Sequence, residues 1–93
     1  MFAVDATYES SGGSHKGRDA IDRMMREFFK ARPSIHWQVD AFEATGRTVS
    51  FDFLATHADA DGKTVRRTGH EELRFNDNDE IEHVQVGSIK VLD

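Results

Sequence analysis

The chain has 93 residues, a formal net charge of −5, 38 % apolar and 31 % charged residues, and no cysteine. That length makes a single domain, 1–93, with a modest core whose stability is expected to be marginal or helped by association. The acidic balance and the lack of a basic stripe argue against nucleic acid, the missing cysteine against disulfides and thiol chemistry, and the short apolar runs against a membrane-spanning helix.

Residues 6–10 alternate and carry Thr7 and Tyr8, which reads as a strand. Ser11-Gly12-Gly13-Ser14 breaks it, Gly17 suits a helix cap, and Asp19 suits a first helical turn. Ala20, Ile21, Met24, Met25, Phe28 and Phe29 then recur at helical spacing on one face, and Pro33 ends the run. From Ile35 the period becomes two. Ile35, Trp37 and Val39 alternate, Thr45-Gly46-Arg47 turns, and Val49, Phe51, Phe53 and Ala55 alternate again. Asp59-Ala60-Asp61-Gly62 is a hairpin signal, 64–75 a long strand, Asn76-Asp77-Asn78-Asp79 another turn, and 80–91 a last strand. The order β-α-β-β-β-β predicts an α+β fold, a curved antiparallel sheet forming a cone around one long amphipathic helix.

A hairpin turning near Asp61 sets Phe51 opposite Glu71 and Val49 opposite Leu73. Glu71, Leu73 and Phe75 then share the face of Val49, Phe51 and Phe53, and Asp52 meets His70 on the other face.

The run Phe2-Ala3-x-Asp5-Ala6-Thr7-Tyr8-Glu9-Ser10, followed by Gly17-Arg18-Asp19-Ala20-Ile21, resembles the SnoaL-like and ketosteroid-isomerase branch of the nuclear transport factor 2-like superfamily. So does the ending Glu72-Leu73-Arg74-Phe75-Asn76-Asp77, then Glu80-Ile81-Glu82-His83-Val84. The resemblance implies a cone with an internal pocket. It also implies helices ahead of Phe2 for which this chain has no residues, so Phe2-Ala3 reads as the last turn of such a helix. For function it is much less specific, because one fold hosts many chemistries.

Glu71 is the leading candidate for chemistry. Its strand parity places it on the apolar face, where desolvation raises a carboxyl pKa and suits it to acid–base work or to donating a hydrogen bond to an oxyanion. The resemblance implies a functional aspartate at this position in related isomerases and cyclases, here replaced by glutamate. The competing reading makes Glu71 a structural residue in a polar network or reaching solvent.

Ser10 stands where the resemblance places the isomerase's general-base aspartate, which argues against steroid-type isomerisation by that mechanism. Tyr8 shares its parity, as a hydrogen-bond donor or as a core aromatic with its hydroxyl at the rim. His83 resembles the histidine of a Glu-His-Trp motif on the last strand. Its facing is open, because Val84 and Val86 favour one parity while Ile81, Ile89 and Val91 favour the other, and Gly87 suggests a bulge between them.

Ser10, Met25, Phe29, Trp37, Phe51, Phe53, Leu73 and Val84 are the expected pocket lining. The histidines are scattered over different elements, so no metal site is expected, and neither a phosphate-binding loop nor any other motif calls for a cofactor. No signal-peptide pattern is present, and the default location is cytoplasmic.

Two functions fit these observations. One is a small-molecule enzyme or binder taking a compact apolar ligand beside Glu71. The other is a non-catalytic association module forming a homodimer through the sheet, whose convex face would carry Leu54 with His70, Ile81 or His83.

Overall fold

The computed structural model describes residues 1–92 and contains strands β1 (Phe2–Ser10), β2 (Gly13–Lys16), β3 (His36–Thr45), β4 (Thr48–Ala58), β5 (Thr64–Phe75) and β6 (Ile81–Leu92), with one helix, α1 (Arg18–Ala31). The strands form a single sheet in the order β2-β1-β6-β5-β4-β3. No helix among the described residues is long and apolar enough to cross a membrane.

Three features depart from the sequence reading. First, the stretch read as a plain break holds a short strand. Ser11 and Gly12 turn the chain back, and Gly13 to Lys16 pair with β1, Ser10 facing Gly13 and Thr7 facing Lys16. Gly13 takes φ +136°, a conformation open to glycine and strained for other residues. Second, Phe2 and Ala3 belong to β1 and not to a helix end, with Phe2 facing Ile81. Third, the sheet is mixed, because β1 pairs with β6 in parallel while the other neighbours are antiparallel. The last strand returns alongside the first and occupies the edge that β2 leaves free.

The predicted β4–β5 register holds throughout. Phe51 faces Glu71, Val49 faces Leu73, and Asp52 faces His70, whose Nδ1 lies 2.8 Å from the Asp52 carboxylate on the opposite face.

Two bulges resolve the conflicting parity of β6. The ladder slips between Arg74 and Phe75, and again between Thr68 and His70, where Ser88 takes φ +53°. Each extra residue shifts the alternation by one, so Ile81, Val84, Val86 and Ile89 all join one apolar cluster with Phe53 and Ala55. The strained bulge residue is Ser88, next to the glycine that signalled it.

Gly17 caps α1 with φ +93°, its N–H donating to Ala6 O at 2.7 Å and its carbonyl accepting from Ile21 N. The helix meets the sheet through β1 and β2, where Ile21 is fully buried against Ala3 and Ala6. Small residues at those strand positions let the helix approach closely. Beyond Ile21 the helix stands away from β3, β4 and β5, and the gap between them is the site.

Candidate functional site

Strand pairing arranges the concave face in rows. One row runs Phe51–Glu71–Val86, and the next runs Val39–Phe53–Gly69. A third runs Trp37–Ala55–Arg67–Val91, and His57 follows Ala55 on the same face of β4. Above them α1 supplies Met24, Met25, Phe28 and Phe29, and Arg32 closes its end. Together these line a half-open cavity of about 600 Å³, large enough for a compact ring compound.

Gly69 makes room for the middle row. A Cβ there would sit 2.5 Å from the Phe53 ring and 2.7 Å from Ile89 Cδ1, so only a residue without a side chain lets Phe53 lie flat across β5. Trp37 packs on Phe53 with ring centroids 4.8 Å apart, and Phe28 lies 6.4 Å from Trp37. The middle of the cavity is therefore aromatic and apolar.

Glu71 carries the one carboxylate among the described residues of this lining. Burial pushes its pKa up from the ordinary value, because the apolar wall disfavours the charged form. Tyr8 lines the same cavity, opposite Val84 on the neighbouring strand. Its hydroxyl is pushed up to about 12, by burial first and then by the negative charge of Glu71. A hydroxyl that holds its proton so firmly is a hydrogen-bond donor across the whole physiological range. His15 from β2 meets the Tyr8 ring edge-on at 6.4 Å.

The far end of the cavity is basic, and the sequence reading did not select it. Arg32, His57 and Arg67 all line the lumen. Arg32 stacks on Phe28 at 4.3 Å, and His57 is 8 % exposed. Arg67 shares the parity of Glu71, so strand alternation could have found it. Arg32 enters from the end of α1, which no strand pattern reports.

Of the residues expected from sequence, Tyr8, Ser10, Met25, Phe29, Trp37, Phe51, Phe53 and Glu71 line the cavity. Val84 is buried in the core below it, and Leu73 packs against that core two residues beyond Glu71. His83 points the other way. It pairs with Arg74 and Thr7, and its Nδ1 lies 2.6 Å from Thr7 Oγ1, so it takes no part in the cavity. Ile81, considered for the convex face, packs into the core instead.

Residues 1–84 match the sequence profile of the SnoaL-like domain. The chain belongs to the SnoaL-like family. A search among curated proteins found no match. Solved structures agree on the fold. An NTF2-like protein of unknown function from Exiguobacterium sp. 255-15 superposes with a TM-score of 0.80 at 23 % identity, over 92 % of this chain and 75 % of its own. A protein assigned as a SnoaL-like polyketide cyclase from Jannaschia sp. CCS1 gives 0.83 at 12 % identity, over 94 % and 66 %. TerC, co-crystallised with polyporic acid, gives 0.78 at 12 %, over 92 % and 72 %. This SnoaL-like chain thus spans between 66 % and 75 % of those three proteins.

The SnoaL-like fold accounts for the curved sheet that forms the cavity wall. Ser10 in the wall is a hydroxyl and Glu71 the single acid, so a mechanism needing two carboxylates has no second one among the described residues.

Proposed function

We propose that this SnoaL-like domain binds a compact apolar ring compound in its cone and that Glu71 exchanges a proton with it while Tyr8 hydrogen-bonds its oxygen. The observation that carries this is the pairing of one desolvated carboxyl with one firmly protonated phenol in an aromatic-lined cavity. Ionised Glu71 removes a proton from a carbon next to a carbonyl, and Tyr8 stabilises the oxyanion that forms. The protonated carboxyl then returns the proton to the same or a neighbouring carbon. Isomerases and cyclases that work through an enolate share that elementary step, and the cyclase-like relative and the ligand held by TerC fit the same class.

The test uses 2-tetralone, a compact cyclic ketone, in deuterated water. The parent protein is expected to accelerate exchange of the protons beside its carbonyl. Glu71→Gln is expected to lose roughly 10²-fold or more of that acceleration. Equal exchange by Glu71→Gln and the parent would remove Glu71 from the chemistry.

A second reading is association without catalysis. It is favoured by the apolar surface on β3, where Val39 is 53 % and Phe42 65 % exposed.

A further inference from the structure

The cavity is polarised. Glu71 stands four residues before the end of β5 and four after Arg67, so the acidic and basic rows are about 13 Å apart along the strand. The row between them offers Val39, Phe53 and Gly69, with Ile89 beside them, and no polar side chain. Glu71 therefore does not neutralise the basic end.

Nor does anything else among the described residues. Neither Arg32 nor Arg67 forms an ion pair, although Arg26, Arg47 and Arg74 each find a carboxylate. Arg32 Nε, Arg67 Nε and His57 Nε2 are all buried with no hydrogen-bond partner. His57 Nδ1 lies 3.2 Å from Ala58 O and donates to it, which makes Nε2 of the neutral ring an acceptor, so the free donors of this end are those of the two arginines. An unpartnered buried donor costs stability, and one on a cation costs more. Two such guanidinium donors lining one cavity, Arg32 Nε and Arg67 Nε, are what a bound anionic group would satisfy.

We propose that Arg32 and Arg67 form a carboxylate-binding end of the cavity, so that the ligand is an apolar ring acid held by its carboxylate with its reacting oxygen at Glu71 and Tyr8. This deepens the proposed function and rests on it. The two guanidinium groups supply charge and fixed N–H donors suited to a carboxylate's two oxygens. The carboxylate sets which way round the ring lies. The aromatic middle, with Trp37, Phe53 and Phe28, holds the ring itself. An uncharged ring of the same size would fill the same space and leave the basic end unpaired.

The probes are adamantane-1-carboxylate and adamantane-1-carboxamide, two compact cages of equal size that differ in charge. Both are transparent where Trp37, the chain's single tryptophan, absorbs and emits. Binding is read by Trp37 emission and by calorimetry. The carboxylate is expected to bind roughly tenfold or more tighter than the carboxamide. Arg67→Gln is expected to remove most of that preference with little change in carboxamide affinity, while Glu71→Gln keeps the preference. Arg32→Gln makes the same test should Arg67→Gln fail to fold by circular dichroism. Equal binding of the two compounds to the parent overturns the basic end and leaves the ligand cavity standing. A preference that survives both arginine substitutions overturns it as well. If neither compound binds at millimolar concentration, the ligand cavity falls, and this inference with it.

Discussion

Tyr8 and Glu71 show how one burial event sets two acidities. Both side chains lose water to the same apolar wall, and the charge of one then weighs on the other. Because Tyr8 is the only tyrosine, absorbance in the near ultraviolet titrates it alone. In the folded protein, reached by rapid pH jump, its midpoint is expected near 12 against an ordinary value of 10.0. Glu71→Gln should lower that midpoint, since removing a negative neighbour makes the phenolate easier to form. The sign for stability follows. A folded pKa above the unfolded one contributes stability that is complete below pH 10 and lost as pH rises toward 12, so alkaline unfolding should steepen in that window. An unshifted midpoint would mean that Tyr8 is solvated and the cavity wall wet.

At the level of elements, β4 and β5 act as a ruler. Side chains alternate with period two, so the register puts Phe51, Phe53 and Ala55 above the same floor as Glu71, Gly69 and Arg67. Gly69 is the position where this ruler has no tolerance. In Gly69→Ala the new methyl must displace the buried Phe53 ring or Ile89, and overpacking of this kind costs about 1–3 kcal/mol. Urea unfolding should report that loss. Trp37 emission should shift too, because Trp37 rests on Phe53 at 4.8 Å. A variant as stable as the parent would show that Phe53 has free space to move into. The bulges of β6 do the opposite work, bringing residues of mixed parity to one face, and they turn His83 away from the cavity toward Thr7.

For the whole molecule the question is what covers β3. It is an edge strand with all ten residues exposed, including Trp37, Val39 and Phe42. The convex face of β4 and β5 is polar by contrast. Ser50, Asp52 and Thr56 face Glu72, His70 and Arg66, and Leu54 is the apolar exception. A homodimer through the sheet remains our expectation, and light scattering at micromolar concentration should return twice the mass of the chain. A monomer there would contradict it. Phe42→Lys and Leu54→Lys then tell which surface is buried, the β3 edge or the convex face, by which of them halves the mass.

The amino-acid sequence alone determined the helix, the four long strands, the β4–β5 register and the inward facing of Glu71. These follow from local rules: the helical spacing of Ile21, Met24, Met25, Phe28 and Phe29, strict alternation from Val49 to Ala55, and turn residues at Asp59 to Gly62. What the tertiary structure decided depends on segments far apart in the chain. The parallel pairing of β1 with β6 places Phe2 in a strand, and the bulges at Glu82 and Ser88 orient His83. Arg32 joins His57 and Arg67 because the residue that ends α1 lines the same cavity as β4 and β5. Alternation says which face a residue occupies. Only packing says which distant residue shares that face, and the charge left unpaired among the described residues of this cavity is a property of that packing.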